Sequence, residues 1–116
     1  MVAGWTVVLT ALLYLCLLFT VAHAGDRNGS RIMRGNRATA DTLMTRKMRG
    51  AGLNLIGRTT TPEFGDCSSA ENPAVDITRN PWNTDYTTCG SSAGSAAMVA
   101  AGAVPIAHAT DGGGSI

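Results

Sequence analysis

The sequence is poor in the residues that usually supply acid–base and metal chemistry. Its 116 residues include three cysteines, two histidines and a single lysine, Lys47. No Cys-x-x-Cys pair occurs, and His23 and His108 are far apart in the sequence. Zinc and similar metals are usually bound by closely spaced clusters of such residues. We therefore expect no metal site in this chain.

Large apolar side chains are also scarce in most of the chain. Aromatic residues make up only 5% of it, and three of them, Trp5, Tyr14 and Phe19, fall within the first 25 residues. A free-standing domain of this size buries only about 60–65% of the surface of its unfolded chain. The remaining residues therefore predict a thin core, as in a part of a larger protein.

The balance of charge gives little reason to expect a nucleic-acid partner. The formal net charge is +1, although eight of the nine basic residues lie between Arg27 and Arg58. The segment from Thr59 to Ile116 has one base, Arg79, and six acids. Aromatic residues are not interleaved with the arginines, so we interpret the basic segment as a solvated helix face with its approach loop.

Charge is completely absent from the first 25 residues. Residues 2–22 are apolar apart from three threonines, and Ala-His-Ala at 22–24 has the small-x-small form of a signal-peptidase site. Segment 1–24 is therefore interpreted as a signal peptide without the usual basic start, or as a membrane anchor, since about 20 apolar residues span a bilayer. A start unrelated to the rest of the chain is the third interpretation. If the segment is used, we expect a secreted or membrane-associated protein with membrane contact through residues 2–22.

The rest of the chain, 25–116, is predicted to be a single partial domain. Helical spacing predicts a helix over Thr39–Arg49, with Thr39 as its N-cap, Asp41 in its first turn and glycines as its stop. An alanine-rich run over 96–102 predicts a second helix that ends at Gly102. Residues 53–57 and 104–107 are predicted to be short strands, and residues 59–88 are predicted to be a loop.

Two serine-containing turns are the strongest chemical signals. Residues 90–95 read GSSAGS, and residues 112–115 read GGGS. A glycine-rich tip leaves its amides accessible, so it can form an oxyanion hole beside a nucleophile or a nest that binds an anion. Taken alone, such a run is most often a flexible turn. Neither the Gly-Lys-Ser/Thr ending nor the Gly-x-Gly-x-x-Gly opening of nucleotide-binding loops is present.

Four blocks taken together closely resemble the amidase signature family, in the family's order and with its spacing. They are GRTTTPEFG at 57–65, TRNPWN at 78–83, GSSAGSAA at 90–97 and TDGGGSI at 110–116. The resemblance runs from about Gly29 to Ile116. It implies an α/β protein with a partial amidase-signature fold, which is a fragment of a mixed sheet with flanking helices, preceded here by an apolar N-terminal helix.

The resemblance also implies a mechanism and its residues. It implies hydrolysis of a small-molecule carboxylic amide by a Ser–Ser–Lys relay, through an acyl-serine intermediate and without a metal or organic cofactor. Ser115 matches the catalytic nucleophile, and Ser91 matches the bridging serine, which in the family follows a cis peptide bond, here Gly90–Ser91. Cys89 stands where the family usually has glycine. The oxyanion and substrate-binding loop is matched by Gly112, Gly113 and Gly114.

The relay lysine of the family has no counterpart in this sequence. In the family it lies well upstream in a Lys-Asp motif, and the corresponding region here is the uncharged segment. Lys47 lies outside the matching blocks, and Arg58 stands at a position that is not the relay base. An arginine also stays protonated, so it cannot act as a base. We therefore interpret the chain as a fragment truncated at both ends, and we expect it to be inactive or barely active by itself.

Two further interpretations compete with the hydrolase. The first is a non-catalytic, small secreted or membrane-anchored protein with a vestigial amidase-like region. In an oxidising compartment Cys67 and Cys89 could pair as a disulfide, whereas in the cytosol they would be small buried thiols. The second treats residues 112–115 as an anion-binding loop.

Overall fold

The computed structural model describes residues 28–72, 76–111 and 113–116. The predicted N-terminal segment 1–24, with its apolar helix, lies outside these residues. The described part is a small α/β unit with two helices, four short strands and one 3₁₀ turn at Glu63–Gly65. In chain order the other elements are α1 (Leu43–Gly50), β1 (Glu71–Asn72), β2 (Asp76–Ile77), β3 (Arg79–Asn80), β4 (Asn83–Thr87) and α2 (Ala93–Ala100).

The strands form two separate antiparallel ribbons in place of the predicted mixed sheet. β1 pairs with β2, and β3 pairs with β4, where the register shifts between Arg79 and Asn80. All four strands lie within the predicted loop 59–88, so that prediction is wrong. Three of the strands have only two residues, which is too short for an alternating pattern to show in the sequence.

The two strands predicted at 53–57 and 104–107 are not formed. In the first segment only Gly57 makes an isolated bridge, and the second has no ladder. Pro105 has no N–H to donate to a ladder. Without a partner strand, the backbone groups of such a segment form hydrogen bonds with solvent or within turns. Val104 is nevertheless buried, so the hydrophobic signal there reports burial without strand pairing.

Helix α1 begins later than predicted because a different threonine caps it. The hydroxyl of Thr42 accepts a hydrogen bond from the backbone N–H of Thr45 at 3.4 Å, and the two threonine hydroxyls lie 3.0 Å apart. Thr39 lies outside the helix. Asp41 is not in the first turn and binds the guanidinium of Arg49 at 2.9 Å, joining the start of the helix to its last turn.

Helix α2 is confirmed, although it begins at Ala93, three residues before the alanine-rich run. Gly102 adopts a left-handed conformation (φ 68°) directly after the C-cap Ala101 and ends the helix. In the first turn, a Cβ added to Gly94 would lie 2.6 Å from the backbone nitrogen and oxygen of Thr60. The absence of a side chain therefore lets the start of α2, and the serine turn before it, pack directly on the Thr59–Thr61 segment.

The interior of the described residues is thin and largely polar. Its buried apolar side chains are Ala38, Ala70, Ala93 and Val104. The amide of Asn72, itself buried, donates to the backbone carbonyls of Gly29 and Thr61. Hydrogen bonds between distant segments thus hold together parts of the chain that a larger hydrophobic core would otherwise hold.

Candidate functional site

The structure brings the hydroxyls of Ser91 and Ser115 together, although 24 positions separate them in the sequence. Their Oγ atoms lie 2.7 Å apart, which is hydrogen-bond distance. The backbone N–H of Ser92 also donates to Ser115 Oγ at 2.9 Å. Because Ser92 is the N-cap of α2, Ser115 Oγ sits at the positive end of that helix, where a developing negative charge is stabilised.

The turn before Ser91 is built from two consecutive residues in the left-handed conformation. Cys89 has φ 56° and Gly90 has φ 64°. A Cβ at Gly90 would lie 2.6 Å from the carbonyl oxygen of Ser115, so glycine is required there for the two segments to approach. The described residues contain no cis peptide bond, and the cis geometry implied at Gly90–Ser91 is therefore wrong for this structure.

Ser92, which sequence reasoning did not single out, connects Thr110 and Ser115 to the start of α2. Ser92 is 3% exposed, and its hydroxyl lies 2.9 Å from Ser115 Oγ. The same hydroxyl donates to the carbonyl of Thr110 at 3.0 Å and accepts the Thr110 N–H at 3.1 Å. The sequence feature that could have indicated Ser92 is its place beside Ser91 in the serine pair. The pair alone does not show which of the two hydroxyls contacts Thr110.

Ser95 extends this network one turn further along α2. Its hydroxyl donates to the carbonyl of His108 at 2.6 Å and lies 3.1 Å from Thr59 Oγ1. Partial burial lowers the pKa of the His108 imidazole, which favours its neutral form. The first turn of α2 therefore anchors both the approach to Ser115 and the Thr59–Thr61 segment.

Asp111 holds the glycine loop that precedes Ser115. Its carboxylate accepts the N–H groups of Gly113 at 3.1 Å, Gly114 at 2.5 Å and Ile116 at 3.3 Å. Backbone hydrogen bonds, led by that from Gly114, lower the pKa of this carboxyl group. Two of the three glycines assigned to an oxyanion loop thus donate to Asp111 in this structure, whereas Gly112 lies outside the described residues. The Asp-Gly sequence, typical of turns that aspartate stabilises, was the available signal.

Ser91 and Ser115 both line one cleft of about 690 Å³, called here the serine cleft. Its volume is within the usual range for small-molecule sites. Gly113 and Gly114 line it too, so the structure brings together four of the five predicted site residues. The rest of the lining comes from two segments: Gly65, Asp66, Cys67 and Ser68, and Cys89 with Gly90. A larger cleft has a volume of about 800 Å³ and is lined by residues such as Arg31, Glu63 and Asn72. Neither Ser91 nor Ser115 lines it.

Lys47, Cys67 and Cys89 were also considered from the sequence. Lys47 is exposed on α1. Cys67 and Cys89 are free and exposed, so the structure shows neither the disulfide nor the buried thiols considered for them. Within the described ranges, no three potential ligands cluster as a metal site would require. In that same part of the chain, no helix has the length and apolarity needed to cross a membrane.

Comparison with known proteins places this chain in a family. The family model described as Amidase matches residues 20–116. AmiC of Mycobacterium tuberculosis, which is designated an amidase, is 51% identical over 96 residues, covering 83% of this chain and 20% of AmiC. The chain thus spans about a fifth of the length of the curated relatives it matches.

Solved structures agree with this assignment. One component of the glutamyl-tRNA(Gln) amidotransferase of Thermotoga maritima superposes with a TM-score of 0.81 at 35% identity, over 89% of this chain and 23% of that protein. A 6-aminohexanoate cyclic dimer hydrolase complexed with substrate superposes with a TM-score of 0.83 at 38% identity, over 90% of this chain and 22% of the hydrolase. The chain belongs to the amidase family.

Proposed function

We propose that this chain carries the nucleophile and the bridging hydroxyl of an amide hydrolase. The observation that carries the proposal is the 2.7 Å contact between Ser91 Oγ and Ser115 Oγ. Membership of the amidase family supports amide hydrolysis as the reaction. The class of substrate is a small-molecule carboxylic amide, in keeping with the size of the cleft and with the cyclic amide that one structural relative is named for.

Ser115 acts as the nucleophile in this proposal. Its Oγ attacks the amide carbonyl carbon, and its proton passes to Ser91 Oγ, which gives up its own proton to a base. Collapse of the tetrahedral intermediate breaks the carbon–nitrogen bond, the amine leaves with a proton, and an acyl-serine ester forms at Ser115. Water then cleaves the ester by the same relay and releases the carboxylic acid. No step requires a metal or an organic cofactor.

The N-terminus of α2 supports this choice of nucleophile. The Ser92 N–H donates to Ser115 Oγ at 2.9 Å, so it stabilises that oxygen as its proton departs. For Gly113 and Gly114 to stabilise the oxyanion of the intermediate, their N–H groups must turn from the Asp111 carboxylate towards the cleft. The proposal therefore assigns Asp111 the role of holding the loop before substrate binds.

The proton acceptor is the group that these residues do not supply. The only lysine, Lys47, is exposed in α1, and the part of the chain that the structure describes brings no lysine to the serine cleft. We therefore propose that the 116-residue polypeptide, expressed alone, hydrolyses amides very slowly. A neutral amine placed beside Ser91 would complete the relay, since general-base assistance contributes roughly 10²–10⁴-fold to rate.

Chemical rescue tests this proposal. The purified chain is mixed with the p-nitroanilide of a small carboxylic acid, and a weakly basic primary amine is added in increasing concentration at constant pH and ionic strength. We expect release of p-nitroaniline to rise with the concentration of the neutral amine. The Ser115→Ala and Ser91→Ala variants should show only the amine-catalysed background. An equal rise in Ser115→Ala would refute Ser115 as the nucleophile.

A further inference from the structure

Two thiols line the same cleft as the serine pair. Cys67 and Cys89 are both free and exposed, and both contribute to the lining of about 690 Å³ that includes Ser91 and Ser115. Neither thiol takes part in the proposed hydrolysis. A cysteine is a stronger nucleophile at neutral pH than a serine hydroxyl, so the cleft holds two reactive groups beside the proposed catalytic ones.

Cys89 directly precedes the residue that makes the tight contact with Ser115. Cys89 is two residues before Ser91, and the intervening Gly90 approaches Ser115 so closely that even a Cβ would lie 2.6 Å from the Ser115 carbonyl oxygen. A group attached to the sulfur of Cys89 adds volume to the cleft that Ser91 and Ser115 also line. Cys67 belongs to the other lining segment, Gly65–Ser68, so each of the two segments supplies one thiol.

We propose that Cys67 and Cys89 form a thiol-modification site that controls access to Ser115, with low-molecular-weight disulfides as its ligands. A thiolate of the site attacks one sulfur of the small disulfide, and the sulfur–sulfur bond of that molecule breaks. One half leaves as a thiolate that takes up a proton, and the other half stays as a mixed disulfide that occupies the cleft. A reducing thiol reverses the step by the same exchange. The gating role rests on the proposed function, whereas the modification site does not.

The experiment uses the full chain with Cys16→Ser, which leaves only the two cleft thiols, and bis(2-hydroxyethyl) disulfide as the probe. Mass spectrometry locates the adducts, and ¹H–¹⁵N NMR follows the amides of Gly113, Gly114 and Ser115. We expect a hydroxyethylthio group on Cys89, on Cys67 or on both, with shifts of these three amides that a reductant reverses. A mass loss of two hydrogens without an adduct means that the second cysteine has attacked the mixed disulfide, released the hydroxyethyl thiol and formed a disulfide with the first. This result also supports a shared site.

A matched control places a thiol outside the cleft. Thr84→Cys, on the exposed strand β4, is combined with Cys67→Ser and Cys89→Ser. Modification of this control should leave the three loop amides unchanged. The proposal is overturned if the cleft thiols resist the disulfide while the control thiol reacts. It is equally overturned if they react and the loop amides do not move.

Amine-rescued hydrolysis separates this proposal from the proposed function. With the cleft thiols modified, we expect the rescued rate to fall at least tenfold, and we expect no fall in the variant with Cys67→Ser and Cys89→Ser. A fully modified protein that keeps its rescued rate would overturn the gate. If the unmodified protein shows no rescue although modification shifts the loop amides, the proposed hydrolysis fails and the thiol site stands.

Discussion

Replacing Ser92 by alanine tests how the segment from Thr110 to Ser115 is held against α2. The Ser92 hydroxyl is buried and makes three polar contacts, with the Thr110 N–H at 3.1 Å, the Thr110 carbonyl at 3.0 Å and Ser115 Oγ at 2.9 Å. A net hydrogen bond contributes about 0.5–1.5 kcal/mol, and a buried partner left unpaired costs about 1–3 kcal/mol. Thr110 is exposed, so water can reach its freed groups. We therefore expect the free energy of unfolding to fall by about 1–2 kcal/mol.

The same variant also discriminates between the two serines as relay groups. Ser92→Ala keeps the backbone N–H that donates to Ser115 Oγ at 2.9 Å, and it keeps Ser91. The amine-rescued rate should therefore fall much less in Ser92→Ala than in Ser91→Ala. Urea unfolding followed by far-ultraviolet circular dichroism gives the stability, and p-nitroaniline release gives the rate.

Ser68→Ala is the matched control, because Ser68 is exposed and an exposed substitution usually changes stability by less than about 0.5 kcal/mol. A stability of Ser92→Ala equal to that of the control would contradict the role of its hydroxyl in holding the loop. A rescued rate as low as that of Ser91→Ala would refute Ser91 as the specific relay.

Two further predictions concern the packing of α2 and the glycine loop. Gly94→Ala should destabilise the protein by about 1–3 kcal/mol in thermal denaturation, because its Cβ would lie 2.6 Å from Thr60 backbone atoms. Gly50→Ala, with open space around it, should stabilise α1 by about 0.5–1 kcal/mol, and equal effects of the two substitutions would contradict the packing. For Asp111, the folded pKa is lowered, so its hold on the loop is complete above the ordinary aspartate pKa and is lost as pH falls through the lower folded value. The Gly114 amide resonance should follow that titration by NMR, and Asp111→Asn should abolish it; an unchanged titration in Asp111→Asn would disprove this assignment.

The helices show what the sequence could and could not predict of the fold. Both were predicted from spacing and composition, but the start of α1 was not. Thr39 and Thr42 are equally favourable N-cap residues by type, and only the contact with Thr45 identifies Thr42 as the cap. The two-residue strands were missed since their pairing depends on chain segments that fold against each other. Short apolar runs such as 104–107 indicate burial, and burial does not require a strand.

The candidate site was more predictable than the fold, because its signals are local motifs. Ser91 and Ser115 were assigned from the matching blocks, and the structure places their hydroxyls in contact. Asp111 and Ser92 were missed because their roles depend on which amides and hydroxyls the folded loops turn towards them. The two thiols of the cleft were considered as a disulfide or as buried thiols, since sequence spacing does not reveal a shared cavity.

The identity of the acylated residue tests the central proposal most directly. The amine-rescued reaction is quenched in acid during turnover, and peptide mass spectrometry locates the acyl group transferred from the p-nitroanilide. We expect one acyl group on Ser115, greatly reduced in Ser91→Ala and absent in Ser115→Ala. An acyl group on Ser91, Ser92 or a cleft cysteine, or hydrolysis that persists in Ser115→Ala, would contradict the proposal.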